Sequence, residues 1–109
     1  MSRSVPTEFP NVTACCKANL YFDGKVVSHS IVDAAGRKHT LGVIFPGAYT
    51  FTTQAPERMA IVAGACRVLL RGDSEWREVP AGDEFQVPGD SSFDIAVDSG
   101  ITEYVCSFG

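Results

Sequence analysis

The chain has 109 residues, of which 45% are hydrophobic and 20% charged, with a formal net charge of -4. That length suits one compact domain burying about 65% of its unfolded surface, and the composition excludes intrinsic disorder. The acidic balance excludes binding nucleic acid by bulk attraction, which needs a basic face, but not a small anion held by a few local donors.

Residues 1–18 read as a loosely structured N-terminal lead-in, and its opening lacks the apolar segment of a signal peptide. No apolar run approaches the roughly 20 residues that span a bilayer, so no membrane partner is expected and the expected compartment is cytoplasmic. Cys15 and Cys16 are vicinal, while Cys66 and Cys106 sit in apolar strand-like runs and read as buried free thiols. No Cys-x-x-Cys pair marks a zinc site. Turn signals then recur at Asp23-Gly24, Gly36, Pro46-Gly47, Gly64, Gly72-Asp73, Pro80 to Asp83, Pro88-Gly89 and Ser99-Gly100. Their spacing of about 7–12 residues is the rhythm of short strands. Gln54 to Arg58, interrupted by Pro56, reads as a loop. Met59, Ile61 and Ala63 alternate with Ala60 and Val62; Phe93, Ile95 and Val97 alternate with Asp94 and Ala96. Tyr104, Cys106 and Phe108 oppose Glu103, Val105 and Ser107 in the same way. Period two marks half-buried strands, so residues 19–109 are expected to form one all-β domain of about eight to ten short strands.

Two segments narrow the fold. Glu57 to Gly64, and Gly82 to Pro88, resemble in spacing the end of the first motif and the start of the second motif of cupins, double-sheet jelly-roll barrels. Metal-binding cupins place two histidines before the glutamate and a third beyond the second motif's proline. Here those positions hold Thr50, Phe51, Thr52 and Thr53 upstream and Phe93 downstream, while His29 and His39 lie outside both motifs. A three-histidine site cannot be built, so no metal and no cofactor are expected. The ordered set Tyr21-Phe22-Asp23-Gly24-Lys25-Val26, Gly42-Val43, Tyr49-Thr50-Phe51, Pro56-Glu57-Arg58-Met59, Val68-Leu69-Leu70, Trp76, Ala81-Gly82, Phe85-Gln86-Val87-Pro88, Ser92-Phe93 and Tyr104-Val105-Cys106 goes further. It resembles the cupin-fold pyrimidine/purine nucleoside phosphorylase family from about Ala18 to the C-terminus. The resemblance implies a small metal-independent homodimer. It also implies that purine and pyrimidine nucleosides are split with inorganic phosphate, as co-substrate, into free base and pentose 1-phosphate. A non-catalytic cupin that binds a sugar or nucleotide as sensor or scaffold would use the same pocket residues.

Phosphorolysis of an N-glycosidic bond passes through an oxocarbenium-like sugar, with phosphate on one face of the anomeric carbon and the departing base on the other. Positioning and electrostatics supply most of the acceleration, and broad base choice asks for stacking surfaces in place of buried hydrogen-bond readers. Glu57, at the acidic position of the first motif, is the candidate catalytic residue, able to bind ribose hydroxyls and face positive charge on the sugar. A glutamate after Pro56 also reads as a solvated loop residue. Tyr49, Phe51, Phe85, Phe93 and Tyr104, with Met59, are candidates for base and sugar, although a domain this small needs most of them for its core. Phe51 and Phe93 lead because they occupy the lost metal-ligand positions. Lys25 and Arg37 are the candidate phosphate cations, with Ser28, Thr53 and Ser92 as neutral donors. Lys25 reads equally as an exposed lysine beside a hairpin. Arg58, Arg67 and Arg71 read as surface, and Trp76 as a packing or dimer residue.

Overall fold

Alternation sets the architecture of the computed structural model, which describes residues 5–109; the first four positions of the expected lead-in lie outside the described residues. In chain order the first strands are β1 (Thr13–Ala14), β2 (Asn19–Tyr21), β3 (Val26–Val32), β4 (Lys38–Ile44), β5 (Gly47–Thr52) and β6 (Glu57–Ala63). There follow β7 (Ala65–Leu70), β8 (Arg77–Pro80), β9 (Glu84–Val87), β10 (Ser92–Val97) and β11 (Thr102–Phe108). A 3-10 turn, Phe22–Gly24, joins β2 to β3. Eleven strands among the described residues exceed the expected eight to ten. The surplus comes from β1 and β2, of 2 and 3 residues, which are too short to show alternation in sequence. Through β1 the lead-in joins the sheet, pairing Thr13 with Val32.

The strand pairings are antiparallel throughout. A seven-stranded sheet runs β1-β3-β4-β11-β6-β9, with β2 also on β3, and a four-stranded sheet runs β5-β10-β7-β8. Their inner faces meet in one core: Val26, Ile44, Ile61 and Phe85 from the larger sheet, Val68, Val79 and Ile95 from the smaller. Each such side chain contributes about 1.5–3 kcal/mol of burial before the entropy of ordering it is subtracted.

The expected alternation departs from strict form in β6 and β11, where outward-facing Ala60 and Val105 are also buried. For Val105 the cover is the chain before β1. Pro6 to Phe9 share a groove with Leu41, Val43, Val62 and Val105 on that face, and the Phe9 ring stands 4.6 Å from His39. Gly64 closes the β6–β7 reversal at φ +77°, and a Cβ there would strike the Ile101 carbonyl, so only glycine fits. All four cysteines are free, with Cys66 and Cys106 buried as the strand reading expects. Burial pushes the Cys66 thiol up to about 11. No helix among the described residues is long and apolar enough to cross a membrane.

Candidate active site

Strands β5 and β10 pair so that Phe51 stands directly opposite Phe93. Both rings therefore enter the space between the sheets, 5.6 Å apart and only 21° from parallel. Phe85 on β9 backs Phe93 edge-on at 5.4 Å. From the larger sheet, period two turns Glu57 and Met59 of β6, and Tyr104 and Cys106 of β11, into the same space. Together they form an aromatic pocket of about 300 Å³. Phe22 and Tyr21 at its rim are 42% and 46% exposed, so the pocket opens to solvent there.

Glu57 is the one charged side chain lining this pocket among the described residues. The Cys106 thiol donates to its Oε1 at 3.5 Å. Burial pushes the Glu57 carboxyl above the usual carboxylate range, and the Cys106 hydrogen bond pulls it part of the way back. Burial, then the Glu57 charge, drives the Cys106 thiol upward, which keeps it a protonated donor. Tyr104 is likewise held protonated by burial, with Ser28 hydrogen-bonded to its hydroxyl. Asn19 Nδ2 donates in turn to Ser28 Oγ at 3.3 Å. One acid thus faces a wall of neutral hydroxyls and a thiol.

The rim is built by the 3-10 turn, where Phe22 and Asp23 take left-handed φ values of +53° and +57°. That conformation lays Phe22 against Tyr49 at 5.0 Å and Phe51 at 5.3 Å, with Tyr21 6.0 Å from Phe51. Tyr21, Phe22, Thr40, Cys106 and Phe108 all line the pocket and were absent from the sequence-based candidates. Cys106 and Phe108 share the inward alternation of Tyr104, a signal that was present in the sequence. Tyr21 and Phe22 depend on the fold of the turn.

Of the candidates, Glu57, Phe51, Met59, Phe93, Tyr104 and Ser28 converge on the pocket. Phe85 stands behind Phe93 in the core. Tyr49 is also buried, its hydroxyl donating to the Phe45 and Pro46 carbonyls at 2.8 and 3.0 Å. The Thr53 hydroxyl donates to the Pro88 carbonyl at 2.7 Å and accepts the Ser91 N–H at 3.0 Å, tying two loops together. Ser92 begins β10 opposite Thr52, outside the pocket lining. Lys25 is exposed beyond the turn, its backbone N–H donating to the Phe22 carbonyl at 3.2 Å. The Gln54-to-Arg58 loop ends earlier than expected, because Glu57 already pairs with Val87 in the sheet.

Arg37 lines a second cleft, about 720 Å³, that adjoins the first at the end of the larger sheet. His39 borders it, hydrogen-bonded to Asp33 Oδ2 at 2.9 Å and to Ser107 Oγ at 2.7 Å. The His39 hydrogen bond, followed by the Arg37 backbone N–H, holds the Asp33 carboxyl below its usual range. Arg58 also faces this cleft, tied to Glu84 at 3.3 Å. Arg67 is paired with Asp98 at 2.9 Å and lies over the Trp76 ring. Among the described residues no group of three or more His, Cys, Asp or Glu comes together as metal ligands.

Comparison with known proteins adds a family. The profile described as pyrimidine/purine nucleoside phosphorylase matches residues 16–108. A protein of that name from Cupriavidus metallidurans is 57% identical over 103 residues, covering 94% of this chain and 99% of the relative. Another from Aromatoleum aromaticum is 55% identical, covering 97% and 99%. The crystal structure of an Acinetobacter protein of unknown function has a TM-score of 0.90 at 42% identity, covering 94% of this chain and 98% of that one. The cupin-type FeII HppE, 10% identical, has a TM-score of 0.71 over 85% of this chain and 55% of its own, a likeness of fold alone.

Proposed function

The chain belongs to the pyrimidine/purine nucleoside phosphorylase family, and we propose that it works through the aromatic pocket around Glu57. The reaction is nucleoside phosphorolysis. The C–N glycosidic bond breaks, the base leaves with the bonding pair and takes up a proton, and a phosphate oxygen forms the new bond to the anomeric carbon. The observation that carries this assignment of the site is Glu57, the sole charge among the described residues lining an aromatic pocket of about 300 Å³. That volume is at the lower end of the range for small-molecule sites, ~300–1,000 Å³.

In this reading the base lies against Phe51 and Phe93 beneath Phe22, and the sugar meets Glu57. A partly desolvated carboxylate gains more attraction as the sugar becomes cationic than it has for the neutral nucleoside. The gain falls in the transition state, where it accelerates the reaction. Tyr104, with Ser28 behind it, and Thr40 offer hydroxyls to the sugar. Ring faces accept purines and pyrimidines alike, which supports broad base choice. Threonines and phenylalanines at the ligand positions of metal cupins support a metal-independent reaction without a cofactor. Leu20 and Phe45, 65% and 43% exposed, support a homodimer that covers them. Activity unchanged by a chelator and a dimer mass by light scattering are the expected results for both proposals. The cytoplasm is the proposed compartment.

Glu57→Gln tests the site. Turnover falls about 100-fold or more, while the melting temperature at neutral pH does not drop. Turnover close to wild type would return Glu57 to a structural role.

A further inference from the structure

We propose that orthophosphate binds in the second cleft, on the far side of Glu57 from the aromatic pocket, held by Arg37 and Lys38. This rests on the phosphorylase reading and adds where the co-substrate sits. The aromatic pocket cannot hold a phosphate by charge, since Glu57 is its one charged lining side chain among the described residues and no lysine or arginine lines it. The two cavities have only Glu57 and Phe108 in common among their lining residues. A sugar seated at that shared wall turns one face of its anomeric carbon to each cavity. Displacement of the base needs that division, with the attacking oxygen on one side and the leaving nitrogen on the other.

The cations agree with it. Arg37 lines the cleft; Lys38, next in the chain but outside the cleft's lining residues, holds Nζ 5.2 Å from the centre of the Phe108 ring, one half of the shared wall. The Lys38 charge also reaches the Cys106 thiol beside Glu57. Neither cation forms an ion pair among the described residues, whereas Arg58, Arg67 and Arg77 are tied to Glu84, Asp98 and Asp83. Asp33, on the same hairpin, makes no ion pair with the Arg37 side chain among the described residues. Its carboxylate is filled by the Ala35 and Arg37 backbone N–H groups and by His39, each at 2.9 Å. In a chain of net charge -4, these are cations without an ion-pair partner among the described residues, beside the proposed reaction centre.

The test is the double variant Arg37→Ala/Lys38→Ala, both exposed positions. Initial rates are taken with phosphate varied at saturating uridine, then with uridine varied at saturating phosphate. KM for phosphate rises about tenfold or more, as expected for losing charge-assisted donors, while KM for uridine and the melting temperature hold. Inorganic phosphate alone also raises the melting temperature of the wild type, and not that of the double variant. An unchanged phosphate KM would overturn the proposal, as would a rise produced by Lys25→Ala instead. A wild type that consumes no phosphate with any nucleoside would sink the phosphorylase reading itself, and the phosphate-dependent melting shift then decides the cleft on its own.

Discussion

Half-buried Glu57 carries a cost whenever it is ionised, because burial raises its carboxyl above the unfolded value of 4.5. The sign of the linkage follows. A raised carboxyl contributes stability that is fully present below the unfolded pKa and lost as pH rises through the folded one. Glu57→Gln cannot ionise, so its stability relative to wild type increases from acid to neutral pH. Urea unfolding of both proteins across that range checks this, and a difference that stays flat or shrinks would contradict it. Asp33 runs the opposite way, its lowered carboxyl stabilising at neutral pH and less so as pH falls. It is present in both proteins and cancels in the difference. At this scale the sequence was readable where one strand face decides a residue's place, as for Glu57, Met59 and Tyr104. It was not readable for Thr53, whose hydroxyl is taken by the Pro88 carbonyl 35 positions away. Nor was it for Tyr49, whose phenol caps the carbonyls of the preceding loop.

The element that completes the pocket is the turn between β2 and β3. A phenylalanine at φ +53° is costly, about 1–3 kcal/mol of backbone strain. The turn keeps it through the Lys25 N–H to the Phe22 carbonyl and the ring contacts of Phe22 with Tyr49 and Phe51. Strain held at the rim of a pocket fits a group kept in place for a ligand. Phe22→Ala removes a stacking face, so KM for nucleoside rises about tenfold, with a smaller change in kcat and none in KM for phosphate. Steady-state kinetics with each substrate varied checks the split; equal KM values for wild type and variant would remove Phe22 from the site. The facing pair Phe51 and Phe93 was legible because both occupy motif positions that line the cavity, and for Phe93 strand alternation agreed. The turn was not legible, since a Tyr-Phe-Asp-Gly run announces a reversal without saying where its rings land. The second cleft was hidden for a related reason: its walls are strand ends brought together from Arg37, Glu57, Arg58, Ser107 and Gly109.

At the scale of the molecule, two sheets of seven and four strands leave space between them for a core and the small aromatic pocket. The larger sheet carries the acid, the hydroxyls and the cationic hairpin end, and the smaller sheet brings the Phe51–Phe93 pair. The fold class and strand rhythm came from local turn chemistry and period two, which survive in sequence. The division into two cavities came from the closure of β4, β6, β9 and β11 at one end, which no local pattern records. The most direct measurement is base release from uridine, inosine and adenosine by the purified protein, with and without inorganic phosphate, together with assay of the sugar product. The account predicts base released only when phosphate is present, matched mole for mole by pentose 1-phosphate. Nucleoside binding without turnover, or base released alongside free pentose in the absence of phosphate, would contradict it.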